Sequence, residues 1–419
     1  GGTTGSPKLA LHTHGNQVFT AWASVQLQGI RAADKVINGY PLFHVAGVLP
    51  GSLASLSAGV ETLIPTTQLF RNRDIIRHYW RLVERYQTTV VSAVPTVLAA
   101  IAAVPLEGAD ITSINFCRTG AAILPPELQE RFKTLFGLQI KESLGMTEMA
   151  GISTITPRGV QAPAGCVGFP LPYCRYKIVA IDDTGAPTER ELPTGEVGMA
   201  LVKSPNVFPG YLNQGATSSA FTQDGWLISG DLAFLDAEGR LNLAGRAKDL
   251  IIRSGHNIDP QMIENALDTH PSVDLCAAVG APDAIAGELP VAFVTLKPGC
   301  AASEEELMRF AAKTVDEPPA RPKSITVLDT MPQTNVGKIF KPELRRLAAI
   351  ATVQNRIIKM LQTFGATAAA TVSAHSGPRG TIVVHVSVKL DSEKIGTLRS
   401  EINKLPIEVC VENAPVDPI

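Results

Sequence analysis

Ile75-Ile76-Arg77-His78-Tyr79-Trp80-Arg81-Leu82-Val83-Glu84-Arg85-Tyr86 is followed, after Gln87 and Thr88, by Thr89-Val90-Val91-Ser92-Ala93-Val94. The first run places its apolar residues at helical spacing. The second is short, apolar and rich in β-branched residues, as in a buried strand. Alternation of these two textures over residues 1–245 predicts a large α/β domain built in layers. Beyond Gly165 the texture changes to short strands and turns, such as Asp182-Asp183-Thr184-Gly185 and Asp236-Ala237-Glu238-Gly239, and predicts a β-rich subdomain.

Residues 246–350 read as a smaller α+β domain. Asp259-Pro260 is an N-cap and first-turn signal for a helix carrying Ile263 and Leu267. Strands are expected at Ala277–Val279 and Val291–Leu296, then a helix near Ser303–Lys313. Residues 351–419 read as an appended α/β module of unknown role. There Val353, Ile357, Leu361 and Phe364 have helical spacing, and Ile382, Val384, Val386, Val388 and Leu390 alternate as in a strand. Ile395, Leu398, Ile402 and Leu405 suggest a further helix.

At 419 residues, 45% hydrophobic and 18% charged, the chain can bury two or three cores. A net charge of -2 without a Lys/Arg block argues against general affinity for nucleic acid or anionic membrane, while a local basic site stays open. No apolar run approaches the ~20 residues that span a bilayer. The 6 cysteines are scattered without a C-x-x-C or a His at metal-ligand spacing. They are expected to be reduced thiols of a cytoplasmic protein.

Gly1-Gly2-Thr3-Thr4-Gly5-Ser6-Pro7-Lys8 joins three glycines, hydroxyls and a lysine. Glycines let backbone N–H groups approach phosphate oxygens closely, and hydroxyls and lysine add donors and charge. It is not the G-x-x-x-x-G-K-[ST] loop, because Lys8 follows Pro7, and alone it would be an ordinary flexible loop. Phosphate loops normally follow a strand, and none precedes Gly1. The expectation is a chain lacking upstream sequence, whose own activity stays open.

Further segments follow in order: Pro41-Leu42-Phe43-His44, Glu142-Ser143-Leu144-Gly145-Met146-Thr147-Glu148, Gly225-Trp226-Leu227-Ile228-Ser229-Gly230-Asp231, Gly245-Arg246-Ala247-Lys248-Asp249 running on to Gly255, and Pro332-Gln333-Thr334-Asn335-Val336-Gly337-Lys338-Ile339. With Thr3 to Lys8, this set resembles the adenylate-forming superfamily of AMP-forming acyl-CoA synthetases, peptide-synthetase adenylation domains and luciferases. The resemblance covers roughly residues 1–347. It makes residues 1–245 the C-terminal part of an AMP-binding domain and residues 246–350 the small lid domain.

The resemblance implies ATP and coenzyme A as co-substrates and Mg²⁺ as the metal. Thr3, Thr4, Gly5 and Lys8 would cradle the β/γ-phosphates. Thr147 would bind phosphate and Glu148 would hold Mg²⁺, a hard cation that prefers oxygen ligands. Gly120-Ala121-Ala122 would lie along one face of the adenine, and Glu142, Ser143, Leu144 and Gly145 along the other. Leu144 stands where an aromatic residue is usual, so aliphatic packing would replace stacking. Asp231 would accept the ribose hydroxyls, with Arg246 beside it. Lys338 would bridge the substrate carboxylate and the α-phosphate, Lys248 would be the hinge of the lid, and Gly255 would line the pantetheine tunnel. Gln333 and Lys341 replace the more usual Lys and Arg. Outside this context Glu148 would be a surface carboxylate, Gly230-Asp231 a turn, and Lys248 and Lys338 solvated charges.

His44 stands where amino-acid-activating relatives usually have an Asp. With Val45, Ala46 and Gly47 it favours a small-molecule acid without an α-amine, a fatty acid first and an aryl acid second. A packed core histidine is the plainer alternative. An acyl-AMP ligase loading a carrier protein and a non-catalytic acyl- or nucleotide-binding paralogue are competing readings. A homo-oligomer stays open.

Overall fold

The computed structural model describes residues 8–122, 124–182, 185–212, 217, 219–334, 337–366, 370–376 and 381–413. The chain forms two compact units. One comprises Lys8–Lys248 with Gln333–Lys338, and the other Asp249–Pro332 with the residues from Ile339 onward.

The first unit is organised by one sheet of twelve strands among the described residues. Five of them run parallel in the spatial order Glu61–Leu63, Lys35–Ile37, Val90–Ser92, Phe116–Gly120 and Ile140–Leu144. Val90–Ser92 is buried on both faces, as a central parallel strand must be. The expected helix before it is two: Arg73–Arg77 and Tyr79–Tyr86, broken at His78, whose φ is -104° and ψ 16°. The break accompanies burial of the consecutive side chains Tyr79 and Trp80, whose rings meet edge to face at 5.2 Å.

The sheet changes character at Ile140–Leu144, which pairs antiparallel with Thr154–Ile155. From there it continues through Cys166–Pro170, Leu241–Arg246, Leu227–Leu235, Gly198–Lys203, Arg175–Ile181 and Pro187–Glu191. The β-rich part therefore shares one sheet with the α/β part. The turn at Asp236–Gly239 closes a hairpin with Gly239 at φ 78°; of the turn at Asp182–Gly185, residues 183–184 lie outside the described set.

Every parallel strand of this sheet delivers its following loop at its carboxyl end, where open α/β sheets take their ligands. The loop after Ile140–Leu144 folds back so tightly that a Cβ on Gly145 would lie 1.7 Å from the carbonyl oxygen of Gly151. Glu142 fastens this region from beneath. Its Oε1 accepts from the Gly165 N–H at 2.6 Å and its Oε2 from the Leu124 N–H at 3.3 Å. Burial pushes its carboxyl up to about 7, against the pull of those two donors.

In the second unit a five-stranded sheet joins His256–Ile258, Ile251–Arg253, Gly287–Leu296, Val273–Asp283 and Ile325–Val327. Asp259 caps the helix Pro260–Asp268 with Pro260 in its first turn, and Ser303 caps Glu304–Thr314. The helix Lys341–Thr363 passes through residues 350 and 351 without interruption. Its first half packs Leu344 and Ala348 on Ala277 and Val279, and its second packs Val353, Ile357 and Leu361 on Val384 and Val386. Those valines belong to a three-stranded sheet of Ala370–Ser376, Ile382–Val388 and Glu408–Asn413, with the helix Ser392–Ile402 as its crossover. Phe364 caps the long helix, and Leu390 follows its strand. Among the described residues no helix is long and apolar enough to cross a membrane.

Glu142 sets a pH signature. Its carboxyl is raised in the fold, so its contribution to stability is complete below the unfolded value of 4.5 and is lost as pH rises through about 7. Glu142→Gln should gain about 2 kcal/mol relative to the parent between pH 5.5 and 8. Urea unfolding at both pH values measures this, and a constant difference would refute it.

Candidate active site

Asp231 is buried on the strand Leu227–Leu235, opposite Arg246 on Leu241–Arg246. Gly230, at φ 76°, and a shift of register between Asp231 and Ala233 re-aim the carboxylate. Arg246 Nε donates to Asp231 Oδ1 at 2.8 Å, and the Asp231 N–H donates to Ser229 Oγ at 3.0 Å. Asp231 Oδ2 is buried and has no hydrogen-bond partner among the described residues. Burial raises the Asp231 pKa, while the charges of Arg246, Lys338 and Lys248 pull it down.

Lys338 belongs to the same unit. The Thr334 N–H donates to the Lys338 carbonyl at 2.7 Å, and Thr96 Oγ1 donates to the Gly337 carbonyl at 2.8 Å. Thr96 stands just after the strand Val90–Ser92, so its hydroxyl ties the lysine loop to the carboxyl edge of the parallel strands. Residues 335–336 lie outside the described set. Burial, with Arg246 and Lys248 nearby, pushes the Lys338 ammonium down to about 8, and Asp231 opposes the shift.

His44 is half-buried after the strand Lys35–Ile37. Its Nδ1 accepts from the Ala46 N–H at 3.2 Å and caps the turn Val45–Val48. With Nδ1 an acceptor, the ring proton sits on Nε2. Burial and the Lys338 charge push its pKa down to about 4, so the imidazole is neutral at pH 7.

A second group forms around the turn Thr147–Met149. His12 Nε2 lies 2.7 Å from the Thr147 carbonyl. The Tyr211 hydroxyl donates to Glu148 Oε1, and Lys8 Nζ lies 5.2 Å from the centre of the Tyr211 ring. His12, Thr96 and Tyr211 stand outside the motifs quoted from the sequence. Each is a lone residue without motif spacing, and only the folded chain brings it to the site.

The other expected residues are placed as follows. Gly120 ends its strand opposite Ser143, with Ala121 next at φ 72° and Ala122 exposed. Ser143 Oγ donates to the Thr119 carbonyl at 2.9 Å. Leu144 is packed in the core with Val167, Ile178, Ala200, Ala233 and Leu241. The carboxylate of Glu142 is occupied within the fold, as described above. Lys248 is exposed in the last turn of the first unit. Gly255 lies in the second unit, where Ser254 at φ 52° and Gly255 at φ 78° make the tight turn between Ile251–Arg253 and His256–Ile258. Lys341 there pairs with Glu264 at 2.7 Å. Thr3, Thr4 and Gly5 lie outside the described residues.

A buried carboxylate with one open oxygen, a depressed lysine and a neutral imidazole make an environment for a polyhydroxylated, anionic ligand. Comparison with known proteins agrees. Residues 1–212 match the family model for AMP-binding enzymes and residues 262–338 that for the AMP-binding enzyme C-terminal domain. The chain is 40% identical to the marinolic acid–CoA ligase of Pseudoalteromonas sp. (strain SANK 73390), over 85% of this chain and 55% of that protein. It is 33% identical to a long-chain-fatty-acid–CoA ligase of Bacillus subtilis (strain 168), over 82% of this chain and 60% of that protein. The chain thus spans less than two thirds of either relative. The structure of an anthranilate CoA ligase in complex with anthranoyl-AMP superposes with a TM-score of 0.74 at 28% identity, covering 84% of this chain and 66% of that one. The chain belongs to the AMP-binding enzymes of the adenylate-forming superfamily.

Proposed function

We propose that the protein is an AMP-forming carboxylic acid–CoA ligase acting on a fatty acid in the cytoplasm. The observation that carries this reading is Asp231, whose Oδ1 is held by Arg246 while the buried Oδ2 lacks a partner among the described residues. That oxygen is suited to accept from ribose hydroxyls. In the first step an oxygen of the substrate carboxylate attacks the α-phosphorus of ATP. A carbon–oxygen–phosphorus link forms, and the bond from that phosphorus to the bridging oxygen breaks, releasing pyrophosphate. In the second, the coenzyme A sulfur attacks the acyl carbon, AMP leaves with the bonding pair, and the thiol proton passes to solvent.

Lys338, as an ammonium, stabilises negative charge developing at the carboxylate and α-phosphate. Gly120 to Ala122 and Glu142 to Gly145 flank the adenine by their backbone. Leu144, turned into the core, makes that contact without an aromatic side chain. Thr3, Thr4, Gly5, Lys8 and Thr147 hold phosphates. Glu148 suits Mg²⁺, which keeps most of its shell as water and phosphate oxygen and needs only one or two carboxylates. Among the described residues no three His, Cys, Asp or Glu side chains gather as a metal cage. When bound, Mg²⁺ supplies neutralising charge to the departing pyrophosphate. Lys248, where the chain passes from one unit to the other, serves as the pivot between the two half-reactions, and Gly255 keeps the thiol's path clear.

Neutral His44 offers no charge to an α-amino acid, and this supports a fatty acid over an amino acid. Acid-dependent pyrophosphate exchange across a panel should rank fatty acids first, aryl acids next and α-amino acids last. Preference for α-amino acids would overturn the substrate assignment. Replacing coenzyme A by a carrier protein should abolish acyl transfer; transfer to the carrier alone would identify an acyl-AMP ligase.

Lys338→Ala should slow acyl-adenylate formation by about a hundredfold or more, equivalent to ~3 kcal/mol. It should still convert pre-made acyl-adenylate to acyl-CoA at close to the parent rate. Equal loss in both half-reactions would show that the lysine serves every step. The lysine must be protonated, so kcat/KM for adenylation should fall as pH rises through about 8. Lys338→Arg, charged throughout, should lack that alkaline limb whatever its absolute rate.

A further inference from the structure

The short strand Gly210–Tyr211 pairs antiparallel with Ala10–Leu11, and the Leu212 N–H donates to the Leu9 carbonyl at 2.9 Å. This seats Tyr211 against the segment that leaves Lys8. From that seat the side chain meets both charged parts of the second group. Its hydroxyl donates to Glu148 Oε1, and its ring face lies 5.2 Å from Lys8 Nζ. The ring is itself fixed, packing edge to face on Phe208 at 4.8 Å, and its backbone N–H donates to Thr217 Oγ1 at 2.8 Å. His12, two residues beyond Ala10, reaches the Thr147 carbonyl, so the same segment also holds the other half of the Thr147-Glu148 pair.

We propose that Tyr211 is a positioning residue that orients the Glu148 carboxylate toward the divalent cation while its ring face holds Lys8 on the phosphate side. The inference rests on the reading of Glu148 as the metal ligand. A half-buried carboxylate on a three-residue turn can rotate about its terminal bond. One phenolic donor on Oε1 removes that freedom and leaves Oε2, which has no hydrogen-bond partner among the described residues, to coordinate. The ring's cation–π contact draws Lys8 to the same side chain without competing for the hydroxyl. One residue thereby couples the spacing of a phosphate-side cation to that of a metal-side anion.

Tyr211→Phe removes the hydroxyl and keeps the ring, with its packing on Phe208 and its contact to Lys8. The test is Mn²⁺ binding to the full chain with a non-hydrolysable ATP analogue, read from the electron paramagnetic resonance of free Mn²⁺. Parent, Tyr211→Phe and Glu148→Gln are compared, with thermal melting alongside. Tyr211→Phe should weaken Mn²⁺ binding about tenfold, in the range seen when a ligand's supporting hydrogen bond is lost. Nucleotide affinity without metal and the melting temperature should stay close to the parent's. Unchanged Mn²⁺ affinity in Tyr211→Phe, with weakened binding in Glu148→Gln, would overturn the positioning role and leave the metal-ligand reading standing. Unchanged affinity in Glu148→Gln would remove that reading and the proposal with it. A Tyr211→Phe protein that melts markedly lower, with metal and nucleotide affinity falling together, would assign the tyrosine to packing instead.

Discussion

A carboxylate held out of water must be met by cations or protonated, and the Asp231 site is arranged around that requirement. Arg246 meets it directly from the neighbouring strand; Lys338 and Lys248 add longer-range charge. The arrangement acts in both directions. The same crowding of positive charge that restrains the Asp231 carboxyl makes Lys338 easier to deprotonate and helps keep His44 neutral. An anionic ligand entering here meets positive charge whose burial cost the fold has already met, which is the form of preorganisation that catalysis exploits.

The sheet supplies the scaffold for this. Its parallel half presents loops after Lys35–Ile37, Val90–Ser92, Phe116–Gly120 and Ile140–Leu144 along one edge, and its antiparallel half brings Asp231 and Arg246 as cross-strand neighbours. Ile140–Leu144 is where the two halves meet, so the tight loop behind it is packed from both sides. Gly145, unable to carry a Cβ there, and Glu142, bonded to backbone on either flank, reflect that crowding.

Much of the architecture was legible because periodicity reports burial. Val90–Ser92, the helix starting at Pro260 and the alternating Ile382–Val388 all followed from apolar spacing and capping residues. The merging of the β-rich part into the parallel sheet was not. It passes through Thr154–Ile155, a strand of two residues that has no period to read. The break at His78 was hidden for a different reason, since the apolar helical pattern continues across it. Within the candidate site, Asp231, Arg246 and Lys338 stand in motifs and could be named in advance. The environment of Leu144 could not, because a strand's alternation does not say which face meets the core and which a ligand. Glu142 stands in the adenine segment by motif, yet its carboxylate is committed to two backbone N–H groups. Tyr211 and His12 carry no local signal at all, being defined by partners more than sixty residues away in the chain.

The helix Lys341–Thr363 has a mechanical meaning beyond its packing. At 23 residues it is a shaft of about 35 Å, and two separate apolar clusters grip it at opposite ends. Fraying at either end must work against the other cluster through the continuous ladder of backbone hydrogen bonds. The two clusters are therefore joined in one cooperative opening unit, and amides near Leu344 and near Ile357 should exchange with solvent through a common event. Any torque on the three-stranded sheet is transmitted along that shaft to the strand Val273–Asp283.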